Sequence, residues 1–318
     1  MAVVENASTD NLPLLVALLG PTASGKTALS LAIAKRFDGE VVSCDSVAVY
    51  RDFEIGTAKP SAAERAQVPH HCIDIISPER EYSAGDYQRD GRAAIAGIAA
   101  RGRLPIVTGG TGLYLRALLE GLFDGPQRSE PLRARLRGSA ARHGAGWLAR
   151  VLERIDPAAA ERIHANDTPK LIRAIEVSLE ARRPITEAWT AGTEPLRGYR
   201  ILRIGLAPER TALYQRIDAR AAAMFERGLV AETERLIAKY GGGRRIFDAL
   251  GYRQARQLLA GEFTEAQAIE AAQRGHRNYA KRQLTWFRRE PEVLWLVGFG
   301  DDAAIQQAAV DAVANCRG

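Results

Sequence analysis

Cysteine is scarce in this sequence. Cys44, Cys72 and Cys316 lie far apart, with no C-x-x-C pair among them. That excludes a disulfide framework and a cysteine-ligated zinc site, and it suits a reducing compartment. Long apolar runs are missing as well: Leu14–Leu19 is far shorter than the roughly 20 residues a membrane-spanning helix needs. Residues 1–12 are polar and carry Glu5 and Asp10 in place of the basic start of a secretion signal. They read as a flexible tail, and the chain as cytoplasmic. Acidic residues are outnumbered, 38 against 44 Lys and Arg, for a net charge of +6. The surplus points to an anionic partner, nucleic acid foremost, although an Arg-rich and Ala-rich genome would leave the same mark. Apolar residues at 46% argue against disorder, and 318 residues suffice for one α/β domain plus a smaller one.

The pattern along the chain alternates strand and helix at first. Leu14–Leu19 reads as a strand buried on both faces, Thr27–Phe37 as a helix, and Val41–Cys44 as a strand ending at Asp45. Ile73–Ile76 reads as a short third strand. Asp86–Arg101 reads as a helix, Leu104–Thr108 as a strand and Gly112–Gly121 as a helix. This alternation predicts a P-loop NTPase-like α/β core, a doubly wound parallel sheet. From Pro126 to Ala191 the periodicity is helical throughout, so residues 126–195 are expected to form an all-helical insertion domain in a core made of 13–125 and 196–318. After a strand at Tyr199–Leu206, long helices are expected at Glu209–Lys239, Phe247–Leu259 and Thr264–Arg289, with a last strand at Val293–Val297.

The chemistry starts at Gly20, Pro21, Thr22, Ala23, Ser24, Gly25, Lys26 and Thr27, which match G-x-x-x-x-G-K-[ST] in full. Such a loop turns backbone N–H groups and a helix N-terminus toward phosphate oxygens, while Lys26 adds a charge and Thr27 offers its hydroxyl to Mg²⁺. Whose phosphates it holds is not stated by the loop. Ligands of open α/β sheets sit at the carboxyl ends of the strands. One such end carries Asp45, a general base or water-mediated Mg²⁺ ligand if it is not simply a turn-capping Asp. Another carries Thr108–Tyr114, where Gly109, Gly110 and Gly112 permit close approach and Thr111 can donate. It lacks the acid that ends such a strand in NTPases, which disfavours ATP hydrolysis. His70 and His71 invite a metal but have no third ligand nearby. Arg216 and Arg220, four apart on one helix, share a face on which an arginine could clamp a phosphate. Arg274, Arg277, Lys281 and Arg288 fall within an arc of about 60° at about 100° per residue, with Tyr279 and Trp286 on another side. That stripe suits a nucleic-acid backbone, or a solvated surface.

The ordered set Gly20–Thr27, Asp45-Ser46, Ile55–Pro60, Pro69–His71, Gly109–Tyr114, Gly251–Arg253 and Tyr279–Arg288 resembles the tRNA dimethylallyltransferases (tRNA isopentenyltransferases), over the chain from about Leu14 to Leu296. The resemblance implies that the loop binds the diphosphate of dimethylallyl diphosphate rather than a nucleotide, with Mg²⁺ at Thr27. It implies transfer to the exocyclic amine of the adenosine just 3′ of the anticodon in tRNA. Asp45 matches the family's base and Arg220 its diphosphate arginine, with Arg216 a weaker candidate. Lys26, Thr27 and Arg220 would stabilise the departing diphosphate. The adenosine must leave its stack to react. Positions matching the tRNA contacts are Asp45, Ser46, Val47 and Ala48; Thr111; Arg133; Pro169, Lys170, Leu171, Ile172 and Arg173; and Asp248, Ala249, Leu250, Gly251, Tyr252 and Arg253. The helical insertion would grip the anticodon loop, and a monomer suffices. The sequence departs from the family's pattern at Ala48, where a Gln is frequent, and at Lys170, where an Arg is. The competing readings are a P-loop small-molecule kinase, which would need ATP and no RNA, and a non-catalytic RNA-binding protein with a vestigial loop.

Overall fold

The computed structural model describes residues 12–317, so the expected tail lies outside the described residues except for Leu12. Strand β1 (Leu14–Leu19) is buried along its whole length. Its alternate residues feed two separate cores: Leu14, Val16 and Leu18 one, Leu15, Ala17 and Leu19 the other. A strand buried on both faces belongs in the middle of a parallel sheet. The others are β2 (Gly39–Ser43), β3 (His70–His71), β4 (Leu104–Thr108), β5 (Arg200–Leu206) and β6 (Val293–Leu296). Among the described residues they form a six-stranded sheet in the order β3-β2-β4-β1-β5-β6, every neighbouring pair parallel.

Helices cover both faces, as the strand–helix alternation predicts. The helices before residue 120 are α1 (Lys26–Phe37), α2 (Ala62–Gln67), α3 (Ala84–Ala100) and α4 (Gly112–Leu119). Five lie between residues 120 and 195: α5 (Glu130–His143), α6 (Trp147–Ile155), α7 (Pro157–Arg162), α8 (Thr168–Ala181) and α9 (Ile185–Ala191). Then follow α10 (Arg210–Glu226), α11 (Leu229–Tyr240), α12 (Tyr252–Leu259), α13 (Glu265–Phe287) and α14 (Ala303–Arg317). One sheet face packs on α1 and α14 through Leu29, Ile33, Ala309 and Val313. The other packs on α3, α4 and the end of α13 through Ile95, Ile98, Leu118 and Phe287. A third core gathers Phe53, Phe247 and Tyr252, with ring centroids 4.9–5.2 Å from Phe53, among residues of α10 to α13.

Three expectations need correction. The third strand is His70–His71, paired with Val41 and Val42, and not Ile73–Ile76. Cys72 and Asp74 adopt left-handed backbone, with φ of 60° and 56°, which ends extended pairing before Ile75. The helix expected over 209–239 is two, because Gly228, at φ 92°, breaks it between α10 and α11. Phe247–Leu259 is a short 3₁₀ turn followed by α12, separated at Gly251 with φ 90°. Helix α14 had no counterpart in the sequence reading.

The chain divides into two units, one up to Leu119 and from Leu196 onward, the other Glu120–Pro195. The second has its own core around Leu152, Ala159, Leu171, Ile172 and Ile175. Its centre is ionic as well as apolar. The Glu176 side chain is wholly buried and accepts hydrogen bonds from Arg133 Nε and Nη2, Arg173 Nη1 and Ser129 N–H, all at 2.7–2.8 Å. Burial pushes its pKa up, but those donors outweigh burial and bring it down to about 2. A carboxyl held below its unfolded value stabilises above that value, and the contribution disappears as pH falls through the folded one. Glu176→Gln is expected to destabilise this unit by about 3 kcal/mol, because two guanidinium groups lose their counter-charge. Hydrogen exchange of α5 and α8 checks it: protection should fall in the variant at pH 7, and the difference from the parent should vanish as the pH drops from about 4.5 toward 2.

Candidate active site

The sheet's topology brings three turns together at the carboxyl ends of β1, β2 and β4. The first is the loop Gly20–Thr27, running from β1 into α1. Gly25, the residue before α1, has φ 86°, and a Cβ there would lie 2.7 Å from Asp301 Oδ1 and Gly300 N, so only glycine fits. The segment carrying those atoms is pinned to the loop by the bond from Gly300 N–H to Ser24 O, 2.8 Å. Lys26 Nζ donates to Gly20 O (2.9 Å) and Pro21 O (2.7 Å). Burial, and then the charge of Arg220, lower the Lys26 pKa to about 7, with the Asp45 carboxylate pulling the other way.

Arg220 reaches the same loop from α10, donating from Nη2 to Thr22 Oγ1. Burial also lowers its pKa, though an arginine remains charged. The Thr22 N–H donates to Gln283 Oε1 on α13 (2.7 Å), and Gln283 Nε2 donates to Gly110 O (2.9 Å). Tyr279 Oη donates to the same carbonyl at 3.2 Å. One face of α13 thus clasps the loop after β1 to the turn after β4. His276 lies one turn earlier on α13, buried, with burial and then Arg220 depressing its pKa to about 4.

Between those turns stands Asp45, just past β2. Its Oδ1 accepts the N–H groups of Val47 (2.9 Å) and Ala48 (3.4 Å). The carboxylate therefore does cap a turn, and it faces the cavity as well. Thr111 Oγ1 accepts the Ser46 N–H (3.1 Å) and donates to Ser46 Oγ (3.3 Å). Its hydroxyl, which could donate to a ligand, ties two turns together in this structure. Gly109 closes the junction, since a Cβ there would stand 2.1 Å from Cys44 O.

A cavity of about 830 Å³ opens between these turns, lined wholly by the first unit. Thr22–Thr27, Asp45–Ala48 and Arg220 all lie on its wall, as do Asp248, Ala249, Leu250 and Arg253. Gly20 and Pro21 stand behind it as acceptors for Lys26. Tyr252 is also behind, fully buried, its hydroxyl donating to Glu232 (2.5 Å) and accepting the Gly56 N–H (3.1 Å). Arg133 and residues 169–173 belong to the other unit. There Leu171 and Ile172 are 1% and 4% exposed, so their side chains are core and not an RNA surface. Arg133 and Arg173 are bound to Glu176, while Pro169 and Lys170 are exposed, Lys170 pairing with Asp167 at 2.6 Å. Arg216 pairs with Asp301 (2.7 Å) and lies over the Phe299 ring. Of the basic stripe, Arg274, Lys281 and Arg288 are exposed, and Arg277 is held by Asp218 at 2.5 Å.

His70 and His71 serve structure: His70 Nδ1 meets Val68 O and His71 Nε2 meets Glu40. Among the described residues no group of three His, Cys, Asp or Glu could hold a metal. The wall offers the Thr27 hydroxyl and the Asp45 carboxylate, which suit Mg²⁺ carried in by phosphate oxygens but not an all-protein metal site. No helix among the described residues is long and apolar enough to cross a membrane. Gln283 and His276 escaped the sequence reading. Their signal was two polar residues seven apart on the inward face of a helix, masked there by a run of charges.

Comparison with known proteins places residues 48–290 in the family described as IPP transferase, and residues 13–74 in that described as isopentenyl transferase. The tRNA dimethylallyltransferase of Koribacter versatilis is 62% identical over 301 residues, covering 95% of this chain and 98% of the relative. That of Solibacter usitatus is 54% identical over 305 residues, covering 96% and 99%. Among solved structures, the full-length tRNA isopentenylpyrophosphate transferase of Bacillus halodurans superposes with a TM-score of 0.71 at 38% identity, covering 96% of each chain. A eukaryotic dimethylallyltransferase studied in the act of modifying tRNA gives 0.80 at 26% identity, covering 95% of this chain and 80% of that one.

The clasp on α13 makes a prediction. A Cβ on Gly110 would sit 2.0 Å from Gln283 Nε2. Gly110→Ala should therefore expel the Gln283 carboxamide, breaking both of its bonds at a cost of about 2 kcal/mol. In a double-mutant cycle read by denaturant unfolding, Gln283→Ala should cost far less in the Gly110→Ala background than alone. Strictly additive costs would show that the two positions are not coupled.

Proposed function

The chain belongs to the IPP transferase family, the tRNA dimethylallyltransferases, and we propose that it moves a dimethylallyl group from dimethylallyl diphosphate to the exocyclic amine of the adenosine 3′ of the anticodon, releasing diphosphate. The observation that carries this reading is one cavity wall bearing two half-buried cations, Lys26 and Arg220, together with the Asp45 carboxylate. A kinase reading finds no acid at the end of β4, and Thr22–Thr27 with Asp45 make a vestigial loop a poor account of the same wall.

Each group has a task. The N–H groups at the start of α1, with Lys26, Thr22 and Arg220, bind the diphosphate and stabilise the charge that grows on it as the C1–O bond breaks. The amine nitrogen attacks C1, and its lone pair, delocalised into the purine, becomes available as its proton is taken. Asp45 takes that proton. Its Oδ1 is anchored by the N–H groups of Val47 and Ala48, which leaves Oδ2 for the task. Mg²⁺, when bound, would be held by Thr27 and diphosphate oxygens and would offset the negative charge of the leaving group. Ala48 cannot donate a side-chain hydrogen bond to an anticodon-loop base as the family's frequent Gln would. Scarce cysteine and a tRNA substrate support a cytoplasmic setting. The exposed ends of α13 and of α8, at Lys281, Arg288 and Lys170, supply charge for the RNA backbone, and the helical unit is assigned to the anticodon loop.

The test mixes purified protein with labelled dimethylallyl diphosphate and total tRNA. Label should pass to tRNA, with diphosphate release dependent on RNA; release without RNA, or ATP turnover instead, would contradict the proposal. Asp45→Ala is expected to bind tRNA normally and lose roughly 10²–10⁴ in turnover; unchanged turnover would remove Asp45 as the base. Reversing the charges of Arg274, Lys281 and Arg288 should weaken tRNA binding and flatten its dependence on salt concentration, with donor KM unchanged. An unaltered salt slope would leave that stripe as plain surface.

A further inference from the structure

Lys26, Arg220 and Asp45 have roles in the transfer, whereas His276 has been given none. It projects from α13 onto the cavity wall with only 7% of its surface exposed. Neither ring nitrogen has a hydrogen-bond partner among the described residues. Buried polar atoms are nearly always satisfied, so two orphans on one ring at a cavity wall call for a partner that enters from the cavity. The surroundings say which ligand. Arg220 is close enough to repel a proton from the ring, and the same arginine grips Thr22 of the phosphate loop. Ser24 Oγ, in that loop and on the same wall, is likewise buried without a partner. Tyr279 and Gln283, which follow His276 on the same face of α13, are bonded to Gly110 O and Thr22 N. The imidazole thus retains hydrogen-bonding capacity in a place where cations converge.

We propose that His276 donates a ring N–H hydrogen bond to the diphosphate of the prenyl donor, completing from α13 the anion cradle that the loop and Arg220 begin. This rests on the diphosphate reading of the cavity given above. A third cation beside Lys26 and Arg220 would raise their mutual repulsion in a half-dry wall. A neutral imidazole avoids that and still presents one N–H and one acceptor nitrogen. Hydrogen bonds to charged acceptors are the stronger class, and the ring's place beside the arginine that grips the phosphate loop directs that bond to diphosphate and not to RNA.

The experiment uses the full chain and inorganic diphosphate, titrated calorimetrically with and without Mg²⁺. The parent should bind, His276→Phe should lose affinity roughly tenfold or more, and His276→Gln, whose amide can donate, should recover part of it. Affinity for tRNA should not change. Ring-nitrogen NMR of the parent is the second measurement, needed if the phenylalanine variant fails to fold: the His276 resonances should move on saturation with diphosphate. A folded His276→Phe protein binding diphosphate as tightly as the parent, or ring resonances that do not move, would overturn this proposal and leave the cavity reading intact. A parent that binds no diphosphate would overturn both.

Discussion

Two cations half-buried at the end of one strand are the constraint to which the rest of the core answers. Burial raises the energy of both, and the charge of Arg220 adds to it at Lys26, which is why the lysine's pKa falls to about 7. Such a pair needs local acceptors and a rigid frame. The loop carbonyls of Gly20 and Pro21 take the ammonium, and Thr22 takes the guanidinium. Thr22 is in turn held by Gln283, and Gln283 by the turn after β4. A multiply charged anion seated there would relieve the repulsion, and on the proposed reading that unfavourable energy becomes affinity for diphosphate. A wall that favours diphosphate over a neutral ester also favours the moment at which charge accumulates on the leaving oxygen.

Where that pair sits follows from the central strand. β1 buries both faces, so it lies deep in the sheet, and the loop that leaves it opens where β2 and β4 also end. The acid comes from one neighbour and the glycine-rich turn from the other. Asp45 therefore acts on the cations through the protein's electrostatics, with no direct ion pair to either among the described residues.

Much of this was legible in the sequence because it is local. The unbroken apolar run Leu14–Leu19, the glycines of the two turns and the lysine–threonine pair each declare themselves within a few residues. Long-range features were not. Gln283 reads as one more polar residue in a charged helix until Thr22, 261 positions away, is seen against it. The strand at His70–His71 is two residues long, too short for any periodicity. Leu171 and Ile172 matched a contact segment, yet they face the core of their own unit, because a helix that presents Lys170 outward must turn the next two residues in. Arg133 matched a tRNA-contact position, and in the structure it is a strut for Glu176, since a buried carboxylate claims the nearest guanidinium.

On the proposed reading, the cradle after β1 receives the diphosphate of an isoprenoid donor while Asp45 relieves an RNA base of its proton. The most direct measurement is a crystal structure of the chain with an unreactive thiolo-analogue of the donor and an anticodon stem-loop. Diphosphate oxygens are expected on the loop N–H groups and on Arg220, with the extruded adenine's amine within hydrogen-bonding distance of Asp45. A nucleoside triphosphate displacing the analogue from that loop, or an adenine lodged elsewhere with Asp45 out of reach, would contradict it.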